Sequence, residues 1–564
     1  MLGNRIFNLN SILLLLILSF FCVILWRSYY LDRAIQFSHE SGFYDDSFNL
    51  VLESELTNYS IYYTLDGSKP KITSLKYNEP LFIDGNNDNQ NSLIPTTPLE
   101  GSDHLHNFIW LPPKDVKKAT IINFALFKHG FQISSVYHKT YFVDNNFIHD
   151  YQFPVISLVT DSLNLFDFEY GIYVPGKKHL EDGFNYFAVG NYHNRGIDWE
   201  RKSHLTYFNG AGDLGFKTYV GIRMRGYSSA SFPQKSLNLY FKKKYELDTL
   251  KYPVFNNTNN DVYKRLILRN SGSDFFKTHF RDAMLQELLS PMNLEIQRFE
   301  PSILFINGEY WGIHNLREKY DKYYFKYNNE IAEDNINIIG VCGNEIEEGS
   351  LDNYIEIEKF IKENDISKLV NYEFLKTKID IDNFIDFLIA EIYYAHYDWP
   401  CNNYKMWKTN DPDSKWRFLI YDLDYSFFES DLSSYTTNSI DHAASTSNEW
   451  PHCNCSNAIF RNLLVNQEFK LLFLEKFHHH LESTFSVDRI NSIIDDFTNM
   501  YSSEMQNHIN RWGYPESINK WEEEIENMRE FAEERPCHMV SSIVSFFDLF
   551  EFGFDCTDNY NGIT

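Results

Sequence analysis

The hydrophobic rhythm of the chain changes near residue 150. Between about residues 38 and 145, apolar residues come in short runs rich in Val, Ile, Tyr and Phe: NLVLES, SIYYTL, ATIINFALF and KTYFVD. Runs of that length and content predict β-strands. Asp66-Gly67 and His129-Gly130 supply tight turns between them. The polar stretch GNNDNQNSLIPTTPLEGSD, residues 85–103, predicts a long surface loop. Short strands closely spaced predict a small all-β sandwich.

After Phe153-Pro154 the pattern becomes mixed. VISLVTD, TYVGIRMRGYSS, KSLNLYF and RLILRNSG predict strands, and FRDAMLQELLSPM predicts a helix. ILFINGEYWGIHNLREKYDKYYF reads as a hairpin turning at Asn307-Gly308 and running into a helix. An acidic helical region follows at 345–375, and DIDNFIDFLIAEIYYAHYDW has helical apolar periodicity. From 457 to 550 the pattern is that of amphipathic helices. A strand-rich half followed by a helix-rich half predicts an α+β body, in the order of a kinase-like bilobal fold. The expected organisation is a segment 1–30, a sandwich 38–145, a mixed domain 153–550 and a tail 551–564.

Composition narrows the function classes. With 564 residues, 43% hydrophobic and 17% aromatic, the chain can build more than one core. Its 51 Lys and Arg against 78 Asp and Glu give a net charge of −27, which disfavours nucleic acid as a partner. A nucleotide site therefore needs local basic residues and metal ions. Residues 12–26, ILLLLILSFFCVILW, are apolar apart from Ser19. They predict an N-terminal anchor in preference to a cleaved signal peptide, because no small-residue cleavage site follows. Either one places the bulk of the chain outside the cytoplasm, membrane-anchored or secreted. The six cysteines beyond Cys22 could pair there, in a connectivity the sequence does not choose. His452-Cys453-x-Cys455 lacks the second ligand pair of a zinc finger. His478, His479 and His480 diverge around a helix axis and read as surface residues.

The chemistry concentrates in HYDWPCNNYKMW and WRFLIYDLDYSF, residues 396–407 and 416–427. Asp398 stands five residues before Asn403, and the second run delivers Asp422 and Asp424. Phosphoryl transfer from a nucleotide needs a carboxylate at the attacking hydroxyl, with an amide oxygen and a second carboxylate on the metal. H-Y-D-x-x-x-x-N keeps the spacing of the protein-kinase catalytic loop without its Arg, and D-L-D stands where D-F-G would be.

Beyond that short motif, the region 153–550 resembles the spore-coat protein H (CotH) kinase family. The resemblance runs in order through GIRMRGYSSASFPQKSLNLYF, RLILRNSGSDFFKTHFRDAMLQELL, NGEYWGIHNLREKYD, HYDWPCNNYKMW and WRFLIYDLDYSF. It implies an exported or surface atypical protein kinase that uses ATP with Mg²⁺ or Mn²⁺ on protein substrates. The stretch around YTLDGSKP resembles the immunoglobulin-like module at the C-terminal end of chitobiase-type hexosaminidases. That module is accessory and no glycosidase carboxylate pair accompanies it.

By this resemblance Asp398 is the catalytic aspartate, and Asn403 and Asp422 are metal ligands. Asn402 is the near alternative to Asn403, and Asp424 either assists the metal or orients the loop. Lys235 is the candidate phosphate-contacting lysine. Arg225, Ser228 and Ser229 belong to a candidate phosphate loop with a single glycine, Gly226, and Arg223 adds charge on the same strand face. Glu287 and Glu318 compete as the partner of Lys235. Arg511 and Arg535 read as structural. The alternative reading is a kinase-shaped surface or coat protein that no longer turns over and acts by binding.

Overall fold

The computed structural model describes residues 34–54, 56–85, 116–144, 152–181, 189–256, 260–340, 345–453 and 455–549. The apolar segment 12–26, Cys342 and most of the expected 85–103 loop lie outside them.

The N-terminal module is built on one sheet whose strands run Gly42–Tyr44, Tyr137–Val143, Thr120–Lys128, Ser60–Thr64 and Leu75–Lys76 in that spatial order. Two small pairs, Gln36–Phe37 with Leu52–Glu53 and Phe48–Leu50 with Leu81–Ile83, close over it. Ile122, Phe124 and Leu126 alternate into the module's own core with Leu50, Ile61 and Ile83. The other face is covered too, because Phe142 packs on Phe305 and Phe208 of the following domain at 5.0 and 5.8 Å between ring centres. A strand buried on both faces explains why ATIINFALF has no polar alternation.

Seven strands then close into a barrel, in the order Val155–Val159, Arg201–Phe208, Leu214–Arg225, Ser236–Tyr240, Arg265–Arg269, Glu309–Glu318 and Phe299–Ile306. The last two form the expected hairpin. Asn307 and Gly308 both adopt positive φ at its tip, 49° and 81°, as a two-residue turn requires. Closure comes from Phe299–Ile306 pairing in parallel with Val155–Val159. Ile156, Leu158, Val220, Ile222, Leu237, Leu239, Leu266, Leu268 and Leu304 fill the interior.

The second half packs helices around a four-stranded sheet, Ile346–Glu348, Ile336–Gly340, Lys405–Thr409 and Arg417–Leu419. The start of the expected helical region at 345–375 is thus an edge strand, followed by helices Asp352–Glu363 and Leu369–Lys378. Helix Ile381–Tyr393 runs through the centre, capped by the Asp380 carboxylate on the Asn383 N–H. It is buried nearly all round, so it supports the residues that follow it. Helices Gln467–Glu482, Val487–Trp512 and Ile518–Phe546 enclose it.

Arg535 is wholly buried and donates to the carbonyls of Ile392, Tyr393, Tyr435 and Thr437, a structural role as expected. Arg511, also buried, lies over Trp311 and Trp512 and pairs with Glu309 at 3.3 Å. His480 corrects the surface reading of the histidine run, because it is buried against Asp386 and Thr484 while His478 and His479 are exposed. Among the cysteines, Cys455 and Cys537 are disulfide-bonded, whereas Cys401 and Cys453 are free thiols. Among the described residues no helix is long and apolar enough to cross a membrane.

Candidate active site

The loop 396–404 leaves the end of the central helix and is pinned at both flanks by aromatic packing. Trp399 and Tyr404 stand on Phe387 of that helix, at 6.1 and 5.7 Å between ring centres, and Tyr404 also meets Phe418 at 5.6 Å. Each such ring pair contributes about 0.5–1.5 kcal/mol beyond its burial. The loop is laced to the segment 422–427 by Tyr397 N–H to Tyr425 O at 3.2 Å and Phe427 N–H to Tyr394 O at 2.8 Å. Asp398, Asn403, Asp422 and Asp424 therefore converge from two segments that are separate in sequence.

Both asparagines reach Asp398. Asn402 Nδ2 donates to its Oδ1 at 2.9 Å and Asn403 Nδ2 to its Oδ2 at 3.2 Å. Only Asn403 spans the site, since the same amide lies 3.3 Å from the carbonyl oxygen of Asp422. Its backbone is in the left-handed region, φ 54°, as is that of Asp422, φ 63°. Behind Asn403 stands His396, 3.4 Å away through Nε2, whose Nδ1 is 2.6 Å from Glu391. His396 and Glu391 are wholly buried, and the glutamate carboxylate holds the imidazole pKa above its ordinary value although burial opposes it.

Burial pushes the Asp398 pKa up, the Asn402 bond and His396 pull it back, and the charge of Asp422 adds to the rise. Asp422 and Asp424 divide their roles. Burial opposes ionisation at both, but the Arg269 guanidinium holds Asp422 below the usual range, while burial and the neighbouring Asp422 charge raise Asp424 well above it. Arg269 donates to Asp422 Oδ1, lies 3.1 Å from Asp424 Oδ1 and 3.7 Å from Asp282 Oδ2. Asp282, at the start of helix Arg281–Leu288, takes the Leu423 N–H at 2.9 Å and so ties that helix to the aspartate segment.

The other expected residues divide sharply. Arg225, at the end of its barrel strand, makes no side-chain hydrogen bond or ion pair with a described residue, and its charge is felt at Tyr421, the residue before Asp422. The Ser228–Ser231 turn follows it, with Ser228 exposed and Ser229 half-buried. Arg223 does not join them, because it pairs with the buried Glu200 at 2.6 Å.

Lys235 lies inside the Ser228–Ser231 turn and makes no ion pair with a described residue. Its ammonium is buried and donates to the carbonyls of Ala230 and Phe232 at 2.8 and 2.5 Å, with the rings of Tyr192 and Tyr173 at 4.2 and 5.4 Å. Burial drives its pKa far down. The expected pairing with a glutamate is also corrected. Glu318 is buried elsewhere, accepting from Arg298 N–H at 3.1 Å and Asn328 Nδ2 at 2.9 Å, and Glu287 lies within the field of Arg489. Lys235 is a brace inside the turn that carries Ser228 and Ser229.

The chemistry of the donors suits a hard divalent ion. Asp422 and the Asn403 amide offer oxygen, the ligand type of Mg²⁺ and Mn²⁺. Among the described residues no group of three or more His, Cys, Asp or Glu could hold a metal.

The chain matches the CotH kinase protein family over residues 222–539, more than half its length. It belongs to that family. Residues 50–141 match the Fn3-associated family, which covers the N-terminal module. Among solved structures the chain is similar to the Helicobacter pylori proinflammatory kinase CtkA, at 10% identity over 54% of this chain and 95% of that one. The TM-score is 0.25, too low to carry an argument about the site. No curated protein matches the chain. The family covers every residue of the candidate site described above, from Arg225 to Asp424.

Sequence reasoning missed Arg269, Asp282 and Glu391. The first closes an apolar strand, RLILR, and the other two lie in helices. Nothing local marks Arg269 or Asp282, whose partners in the site are far away in sequence, whereas Glu391 stands five residues before His396 and its spacing was a usable signal.

Proposed function

We propose that this CotH-family chain transfers the γ-phosphate of ATP to hydroxyl groups of protein substrates, in an exported or cell-surface compartment. The observation that carries this reading is the Asn403 amide, which lies within hydrogen-bonding distance of both the Asp398 carboxylate and the Asp422 backbone. One residue thereby links the proposed base to the proposed metal ligand.

In this reading Asp398 orients the substrate hydroxyl and accepts its proton. Its raised pKa keeps it a competent acceptor once ionised. Asn403 and Asp422 hold Mg²⁺ or Mn²⁺ through oxygen, and Arg225 with the Ser228 and Ser229 hydroxyls meets the phosphates. A bound divalent ion supplies neutralisation of the charge on the phosphate oxygens. His396 and Glu391 fix the loop so that Asn403 keeps its place. Lys235 shapes the phosphate turn from behind.

The binding-only alternative draws on one observation: both Asp398 oxygens already accept amide hydrogen bonds. Transfer of label from γ-labelled ATP in the presence of Mn²⁺ separates the two, since a binding protein transfers none.

A further inference from the structure

We propose that Arg269 is a built-in cation occupying the place of a second divalent ion, so that the site takes a single Mg²⁺ or Mn²⁺ through Asp422 and Asn403. This rests on the phosphoryl-transfer reading and adds a positioning residue to it.

Protein-kinase sites hold two metal ions through an aspartate and an asparagine. In this chain a second aspartate, Asp424, offers a further place for an ion beside Asp422, and that place is filled by protein. Arg269 donates to Asp422 Oδ1 and stands 3.1 Å from Asp424 Oδ1, and its side chain is only 12% exposed. Asp424 has little left to offer a metal. Its Oδ1 faces the guanidinium, its Oδ2 accepts the Ser273 N–H, and the backbone at Gly272 comes so close that a Cβ there would sit 1.9 Å from Oδ2. Its side chain is 8% exposed, against 35% for Asp422. Of the two side chains, Asp422 is the one left open to solvent.

The guanidinium suits this place. It cannot lose its proton in a protein, and its fork spans two carboxylates that a single ammonium would meet only as a point charge. Arg269 is itself held by Asp282, which Arg317 anchors on the next strand, so the cation has a fixed position. Glycine at 272 is needed by both the close approach and the backbone, φ 58°.

The test is a count of tightly bound Mn²⁺, read by electron paramagnetic resonance on the full chain with a non-hydrolysable ATP analogue, adenylyl imidodiphosphate. The wild type is expected to bind one equivalent. Arg269→Gln is expected to bind two, because Asp422 and Asp424 then form an open carboxylate pair, and Arg269→Gln with Asp424→Asn is expected to return to one. Two equivalents in the wild type overturn the inference, whatever the variants do, and leave the kinase reading standing. A folded Arg269→Gln protein that still binds one overturns it as well. No tight Mn²⁺ in the wild type contradicts both readings together.

Discussion

Asn403 reaches back five residues to Asp398, its amide nitrogen 3.2 Å from Oδ2, and the same nitrogen lies 3.3 Å from the Asp422 carbonyl. The adjacent Asn402 touches only Asp398. The two asparagines are therefore unequal although they are neighbours of the same type. Replacing Asn403 by Ala removes a link between two segments, and phosphate transfer is expected to fall about 10²-fold or more, as for loss of an oriented polar group in an active site. Replacing Asn402 by Ala removes one hydrogen bond of about 1 kcal/mol and is expected to cost within about tenfold. Initial rates of label transfer for the two variants check the order.

Lys235 and Arg225 are expected to fail in different ways. Lys235→Met leaves the carbonyls of Ala230 and Phe232 unpaired, a loss of about 1–3 kcal/mol for buried acceptors. Its signature is a lower denaturant midpoint. Arg225→Gln removes a guanidinium with no described protein partner, so the midpoint is expected to hold while nucleotide affinity drops. Urea unfolding and nucleotide titration on both variants make the comparison. A Lys235→Met protein of unchanged stability and weakened nucleotide binding would return the lysine to the phosphate.

Glu300 gives the stability a pH dependence. Burial pushes its pKa up to about 7 from 4.5, and Asn256 is its weak donor at 3.5 Å. The folded value is the higher one, so the folded state binds the proton more tightly than the unfolded chain. The stabilisation is fully present below pH 4.5 and is lost as pH rises through about 7. Glu300→Gln is expected to be the more stable protein at pH 8, by roughly 1–2 kcal/mol for a partly buried group, with the difference shrinking at pH 5. Urea midpoints at the two pH values measure it.

Cys401 lies inside the 396–404 loop with its N–H on Pro451 O at 3.1 Å. Burial first, and then the hydrogen bond with Cys453, push its pKa up to about 12. The thiolate is the reactive form, so alkylation at pH 8 is expected to lag an ordinary exposed thiol by orders of magnitude. Cys453→Ala is expected to quicken it. Rates of iodoacetamide labelling, followed residue by residue in the mass spectrum, test both.

The sequence carried the local parts of this fold well. The Asn307-Gly308 hairpin, the strand ending at Arg225 and the helix after Asp380 follow from turn chemistry, strand-type composition and helical periodicity. Closure of the barrel is not a local property. It depends on Val155–Val159 meeting Phe299–Ile306, strands whose patterns are equally apolar and say nothing of partner or direction. The site divides in the same way. Asp398 and Asn403 share one loop, so their spacing was readable. Arg269 meets Asp422 across 153 residues, and no periodicity announces that pairing. Sequence places Lys235 at the phosphates because a strand lysine after a turn holds that role in kinases, whereas in the fold its ammonium donates to the carbonyls of Ala230 and Phe232. Two carbonyls of the preceding turn and the rings of Tyr173 and Tyr192 make its burial tolerable, and the rings come only with the folded chain.

The most direct test uses the purified chain with γ-labelled ATP and Mn²⁺, comparing the wild type with Asp398→Ala and Asp422→Asn. The account predicts label on the protein or on an added acidic protein substrate, abolished by either substitution, with both variants folding as the wild type does. Label transfer that survives in Asp398→Ala, or a wild type that transfers none while binding no nucleotide, would contradict it.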